Sequence, residues 1–359
     1  MTDTPAEILR RAIHKVTGRH TLSREEMSQV VEFLMTCDLS KDPFPILAGA
    51  LICSLKTRGE TVDELIGAAK TLQKHQHNVA VAGGGEAVID TCGTGGDGAH
   101  LINISTITGI VVASLGVTVA KHGNRSVSSA CGSADLLEEL GYPLVDDPGI
   151  VAQLVSNSGF GFLFAPHFHP ALKNLAGFRR SLGVRTIFNM LGPLVNPCAV
   201  THQLIGVFDR GIVSTVAQAA AQLGPRRVLV VHGEGGLDEL SPFGTSWVSL
   251  CEGDRHTEME WRPEDFGAAP VTLDQLAGGP PSENADKCRR LLAGQLPEMA
   301  SAVAMNCAAC LWLVEKAASL QDGYDMAMEA LNSGRAGQHF HKLKTEAVGL
   351  TLKEAHQAE

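Results

Sequence analysis

The segment Val88 to Thr106, VIDTCGTGGDGAHLINIST, sets four glycines (Gly93, Gly95, Gly96 and Gly98) between an apolar run and a stretch of helical character. A short buried strand, Ala87 to Asp90, thus leads into a loop with few side chains and then into a helix. This succession is the building unit of open α/β sheets. Its bare backbone N–H groups and the positive end of the following helix can hold phosphate without a lysine. Gly93, Gly95 and Gly98 satisfy G-x-G-x-x-G, but a dinucleotide site needs an acidic residue about 20 positions further on. None stands between Asp97 and Asp135, and the next strand, Val117 to Ala120, runs into the basic KHGNRSVSS. No G-K-[ST] follows the glycines, so the loop is not a Walker A loop either.

The rest of the chain extends this α/β reading. Residues 1–73 contain no strand pattern. Ile8, Leu9, Ala12, Ile13 and Val16 form one helical stripe; Ser23 with Glu26, Asp42-Pro43, and Thr61 with Glu64 open three further helices. The glycine-rich QKHQHNVAVAGGGEA suits a link between domains. Beyond it, strands at Val88, Val117 to Ala120, Gln203 to Phe208 and Arg227 to Val231 alternate with Ala- and Gly-rich helices, which predicts a mostly parallel sheet flanked by helices. The cationic helical stretch FAPHFHPALKNLAGFRRSLG interrupts them and is expected to fold back onto the first helices. The expected organisation is a helical domain over 1–80, joined by a segment near 165–185, and an α/β domain over 87–359 with that segment excluded. No solenoid-length repeat is present, and the final KEAHQAE reads as a frayed end.

Composition narrows the partners. With 29 Lys and Arg against 39 Asp and Glu, the net charge is −10, which disfavours nonspecific binding to nucleic acid or anionic lipid. The longest apolar stretch, Gly109 to Ala120, is too short to span a bilayer, and no signal-like core opens the chain. Nine scattered cysteines in a chain of 359 residues fit a reducing compartment, so a cytoplasmic protein is expected. Cys307 and Cys310 fall in an apolar helix with no second ligand pair, and read as core.

Three more segments carry chemistry. KHGNRSVSSACGS, Lys121 to Ser133, follows a strand and gathers cations, amides and hydroxyls able to wrap a polyanion; a solvated loop is the alternative. Asp238 and Glu239 follow a strand and a glycine turn, which suits either a magnesium station completed by substrate phosphate or a helix start favoured by its dipole. Arg179, beside Arg180 and near Arg185, either grips a carboxylate or faces solvent. His167 and His169, flanked by prolines, read as structural.

DTCGTGGDG, NIST, KHGNRSVSS, GSADLLEELG, HPALKNLAGFRRSLGVRTIFNMLGPLVNP and HGEGGLDELS occur in the order and spacing of anthranilate phosphoribosyltransferases, which the chain resembles up to about Ala336. Pyrimidine nucleoside phosphorylases share that architecture, but have KHGGR where this chain has His122-Gly123-Asn124, and lack the DELS segment. The resemblance implies the nucleoside phosphorylase/phosphoribosyltransferase-like fold, a homodimer joined through the N-terminal helices, and transfer of phosphoribose from phosphoribosyl pyrophosphate to anthranilate. It implies phosphoribosyl pyrophosphate contacts at Gly93, Gly96, Asp97, Leu101, Asn103, Ile104, Ser105, Thr106 and Ser133, and throughout the loop Lys121, His122, Gly123, Asn124, Arg125, Ser126, Val127, Ser128 and Ser129. Anthranilate contacts fall on Gly93, Asn124 and Arg179, and a pair of Mg²⁺ ions per subunit on Ser105, Asp238 and Glu239. Leu101 stands where the family commonly has threonine, and Ala130-Cys131 where a Lys-Ser pair is commoner. Bond breaking at the anomeric carbon calls for leaving-group stabilisation rather than a strong base, so no acid or base is assigned; His122 is the nearest helper. A binding protein on the same scaffold without transferase activity is the competing class. The intact GTGGD loop and Asp238-Glu239 speak against it.

Overall fold

The computed structural model describes residues 4–81, 87–95, 98–126 and 130–357. The chain opens with α1 (Pro5–Thr17), α2 (Arg24–Thr36), α3 (Phe44–Arg58) and α4 (Val62–Lys74). Thr4, Ser23 and Thr61 each cap a helix through a reciprocal bond with a glutamate three residues on. Of these, Glu64 is fully buried; it also accepts from Leu22 N–H at 2.8 Å and pairs with Arg58, so one carboxylate caps α4 and ties three segments together.

The next elements are β1 (Val88–Gly93), α5 (Ile104–Ser114), β2 (Thr118–Gly123), α6 (Ser133–Glu139), α7 (Pro148–Ser158) and β3 (Phe160–Phe164). They are followed by α8 (Ala165–Phe168), α9 (Lys173–Leu182), α10 (Ile187–Leu194), β4 (His202–Gly206), α11 (Val213–Ala221) and β5 (Arg227–Gly233). A hairpin, β6 (Ser246–Glu252) and β7 (Arg255–Trp261), then precedes α12 (Pro281–Leu292), α13 (Pro297–Leu313), α14 (Leu320–Asn332) and α15 (Arg335–Gln357). The strands form one seven-stranded sheet in the order β3-β2-β1-β4-β5-β6-β7. β1 to β5 pair in parallel, while β6 and β7 add antiparallel at one edge. The sequence reading missed β3, β6 and β7.

Strand alternation divides the core between the two faces. Leu204, Leu229 and Val231 join a cluster with α5 and α13, whereas Ile205, Val228 and Val230 join one that contains α10, α11 and the apolar faces of α1 to α4. The N-terminal helices thus pack continuously onto the reverse face of the sheet. α9 packs against them: Leu175 enters their core and Asn174 Nδ2 donates to the Met35 carbonyl at 2.9 Å. Among the described residues no single helix is long and apolar enough to cross a membrane.

Candidate active site

The chain runs outward through β1, β2 and β3, then crosses to the other side of β1 to form β4. This reversal opens a crevice at the carboxyl ends of β1 and β4, where open α/β sheets collect ligands. Gly93 and Gly206 are register partners at these ends. The turn bearing Asp238 and Glu239 lies over both. A Cβ at Gly93 would sit 2.5 Å from Asp238 Oδ2, and one at Gly206 only 1.5 Å from the Asp238 carbonyl oxygen. Glycine is required here for approach. The Asp238 carboxylate accepts from Gly95 N–H at 2.7 Å, and Glu239 Oε1 accepts from Ser105 N–H at 3.0 Å. No helix begins at Asp238, which removes the helix-dipole explanation for these acids. Behind the turn, buried Asn306 of α13 accepts from Leu240 N–H at 3.3 Å and donates to the Ala302 carbonyl at 3.0 Å.

Beneath the crevice lies a buried charge network. Lys121 is 1% exposed; its ammonium donates to the Thr91 carbonyl and lies 3.4 Å from Ser105 Oγ. Asp90, fully buried in β1, accepts from His122 N–H at 3.0 Å and from Asn196 Nδ2 at 2.8 Å. Burial pushes the Asp90 carboxyl up and the Lys121 amine down, and each charge opposes the other's shift. His122 Nδ1 lies 3.0 Å from the Gly192 carbonyl, which can only accept, so Nδ1 carries the proton and donates. Nε2 is buried without a hydrogen-bond partner, and the ring packs 5.1 Å from that of His169. Burial, with His169 adding to it, pushes His122 down to about 3; burial pushes His169 down to about 4. Both imidazoles are neutral near neutral pH.

The loop after β2 is held from below by α6. Asp135 accepts from Ser126 N–H at 3.0 Å and Gly132 N–H at 2.9 Å, folding the loop around its own helix start. The Arg125 guanidinium pairs with Asp135 at 2.9 Å and with Glu138, and lies over Phe164, so it is committed to α6 and β3 rather than to the crevice. Thr106 Oγ1 and Ser133 Oγ share a 2.9 Å hydrogen bond across the two glycine-containing segments. Ile104 is buried in the core, leaving only its backbone for a ligand, and Leu101 packs partly buried against the same core. Gly123 faces Phe162, whose ring a Cβ would meet at 2.7 Å, and exposed Asn124 accepts from Arg125 N–H at 2.7 Å.

The structure therefore brings Gly93, Ser105, Thr106, Lys121, Ser133, Asp238 and Glu239 together, with Asn103 bonded to the Cys131 carbonyl beside them and the His122 ring turned to Gly192 and His169. Gly96, Asp97, Val127, Ser128 and Ser129 lie outside the described residues. Arg179 is half-buried on α9 and, among the described residues, is not joined to this group by a direct contact: its guanidinium lies 5.7 Å from the Phe188 ring of α10, the helix whose Gly192 carbonyl holds His122. Burial alone pushes its pKa down. Sequence reading missed Asp90, Asn196, Gly206 and Asn306. A carboxylate inside an apolar strand, and an asparagine on the apolar face of a helix, were the available signals.

The carboxylates and the Ser105 hydroxyl are hard oxygen donors. Among the described residues no group of three or more His, Cys, Asp or Glu gathers around a point. The protein thus offers a partial oxygen shell to be completed by water and phosphate, as magnesium accepts.

Two family models match. Residues 10–76 fit a glycosyl transferase family helical bundle domain, and residues 85–337 a glycosyl transferase family a/b domain. The anthranilate phosphoribosyltransferase of Myxococcus xanthus is 44% identical over 330 residues, covering 91% of this chain and 96% of that protein. The crystal structure of the Thermus thermophilus anthranilate phosphoribosyltransferase superposes with a TM-score of 0.84 at 38% identity, covering 94% of this chain and 99% of the other. The Saccharomyces cerevisiae enzyme, solved in complex with phosphoribosyl pyrophosphate and magnesium, superposes at 0.86 and 26% identity, covering 95% and 98%. It has also been solved with 4-fluoroanthranilate.

Proposed function

The chain belongs to the anthranilate phosphoribosyltransferase family, and from that premise we propose how its own residues divide the work. It transfers the phosphoribosyl group of 5-phosphoribosyl 1-pyrophosphate to the amine of anthranilate, giving N-(5-phosphoribosyl)anthranilate and pyrophosphate, in tryptophan biosynthesis. The observation that carries the proposed site is the Asp238-Glu239 turn laid across Gly93 and Gly206, with both carboxylates hydrogen-bonded to the segment that begins with the glycine loop.

In this reading the pyrophosphate end sits on the backbone between Gly93 and Thr106, with Gly96 and Asp97, and under the loop from Lys121 to Ser129 with Ser133. Magnesium, as a pair of ions at Ser105, Asp238 and Glu239, neutralises the departing pyrophosphate. Buried Lys121 places its amine nitrogen 3.4 Å from Ser105 Oγ. Anthranilate is held by Asn124, by the backbone at Gly93, and by Arg179, whose incomplete burial leaves it able to grip a carboxylate. An aromatic amine is unprotonated at neutral pH, so alignment against the anomeric carbon suffices for attack. The proton shed afterwards is strongly acidic. Its loss needs no strong base, so no residue is assigned as acid or base, and buried, neutral His122 is only the nearest candidate helper.

The proposed organisation is a helical domain over 1–80 with the 165–185 segment folded onto it, and an α/β domain over the rest of 87–359. α9 docked on α2 supports it. A homodimer joined through the N-terminal helices is supported by Ile46, which is 68% exposed on α3 beside half-buried Leu47. Sedimentation at micromolar concentration tests the dimer, and a monomer there rules it out. Nine free cysteines support a reducing cytoplasm. The reaction itself is tested by the loss of anthranilate fluorescence with phosphoribosyl pyrophosphate and magnesium, each omitted in turn. Signal loss that persists without either one refutes the assignment.

A further inference from the structure

Asn284 lies near the start of α12, more than 150 residues from the phosphate loops, and is 2% exposed. Its side chain closes a relay. Gly279 N–H donates to Asn284 Oδ1 at 2.7 Å; Asn284 Nδ2 donates to Asn103 Oδ1 at 2.9 Å; Asn103 Nδ2 donates to the Cys131 carbonyl at 2.9 Å. Both ends are backbone groups of fixed polarity: an N–H only donates and a carbonyl only accepts. Neither amide can flip without setting oxygen against oxygen or nitrogen against nitrogen at both of its contacts. The direction of the relay is therefore determined by the fold.

Asn103 occupies the position just before α5, where an asparagine commonly turns its oxygen onto the free N–H groups of its own helix. It makes no such bond here. Its oxygen is drawn toward α12, and the second Nδ2 hydrogen is what the side chain has left to offer a phosphate. The relay is anchored on a strap that only glycine permits. Gly278 N–H donates to the His100 carbonyl at 2.7 Å and Ile102 N–H to the Leu276 carbonyl at 3.1 Å, while a Cβ on Gly278 would sit 2.4 Å from the Leu101 oxygen. At the far end, Cys131 belongs to the loop between β2 and α6. The relay thus ties together the strap, the start of α5 and that loop.

We propose that Asn284 is a positioning residue for phosphoribosyl transfer: it holds the Asn103 amide with its nitrogen available to phosphoribosyl pyrophosphate, and anchors the loop through Cys131. The inference rests on the reading of Asn103 as a contact for that substrate. Replacing Asn284 by aspartate keeps the size and the acceptor for Gly279, but turns an oxygen toward Asn103 Oδ1. KM for each substrate, kcat and Tm are measured for Asn103→Ala, Asn284→Asp and the double variant. The expected result is a KM for phosphoribosyl pyrophosphate raised about tenfold in Asn284→Asp, with the KM for anthranilate and the Tm held, and a double variant no worse than Asn103→Ala. If Asn103→Ala raises that KM while Asn284→Asp leaves it near wild type, or if the two effects add, the relay is wrong. If both KM values and the Tm shift together, Asn284 is only scaffold and the proposal is equally overturned. An unchanged KM in Asn103→Ala instead removes the contact reading underneath. Should Asn284→Asp not fold, Asn284→Ala serves: it removes the donor to Asn103 without adding charge, so the same selective KM rise supports the proposal and an unchanged KM overturns it.

Discussion

Gly206→Ala tests the placement of the carboxylate turn with one methyl group. The added Cβ would lie 1.5 Å from the Asp238 carbonyl oxygen and 2.4 Å from its carbon, and both obstacles are backbone. Side-chain rotation cannot relieve that contact. The separation must roughly double before it is tolerable, so the turn has to lift from the sheet and carry both carboxylates with it. Displacement of a reacting constellation by about 1 Å can cost on the order of 100-fold in rate. The fold itself should survive, because Gly206 is the last residue of β4 and overpacking typically costs about 1 to 3 kcal/mol. The assay is the fluorescence turnover measured across a magnesium titration, with Tm alongside. The expected outcome is a fall in kcat/KM of about 100-fold with a raised magnesium requirement and a folded protein. Gly349→Ala on α15, where a Cβ meets nothing within 4 Å, is the control and should match wild type. A Gly206→Ala enzyme with unaltered kcat/KM and magnesium dependence would refute the claim that the turn's height above β4 sets the site.

Changing Asp238 to Asn and Glu239 to Gln together should nearly abolish turnover while circular dichroism stays native; a double variant that keeps wild-type magnesium dependence places the metal elsewhere. Arg179→Ala removes a charge-assisted contact and should lower kcat/KM for anthranilate about 10- to 150-fold while moving the KM for phosphoribosyl pyrophosphate far less, and the reverse pattern would put this arginine on the other substrate. The buried histidines make stability fall in acid. Their folded pKa values, about 3 for His122 and about 4 for His169, lie below the unfolded value near 6.5, so the unfolded chain takes up protons first. Their contribution is complete above about pH 6.5 and is lost as pH falls through about 4, at up to about 1.4 kcal/mol per pH unit for each histidine. Urea midpoints for His169→Asn should show a shallower loss over that window, and a slope equal to wild type would assign the acid sensitivity to other groups.

What sequence revealed here depended on whether the relevant residues were contiguous. The strand, glycine turn and helix around Gly93 were legible because one short stretch holds the whole device. Asp238 and Glu239 were visible but ambiguous: the structure shows no helix start beside them, which removes the cap reading, and shows their carboxylates bonded to Gly95 and Ser105, contacts no local pattern announces. β3, FGFLF, escaped notice although its three phenylalanines favour a strand, because it is short and buried along its whole length and so shows no alternation. β7, RHTEMEW, is an edge strand dominated by polar side chains. Asn284 could not be connected to Asn103 because the contact is long-range. Its only local mark is an amide on the same helix face as the buried Cys288 and Leu291.

The two asparagines proposed as locks, Asn284 bonded to Asn103 and Asn306 bonded behind the carboxylate turn, both fall in the last quarter of a 359-residue chain. Synthesis runs from the N-terminus at about 5 to 20 residues per second, so a nascent chain displays every proposed substrate contact for some seconds before either lock leaves the ribosome. Competence to hold phosphoribosyl pyrophosphate is consequently a late event in the birth of the molecule. A product of premature termination before α12 has all the proposed ligand groups but neither lock, and should not withhold this metabolite from finished enzymes.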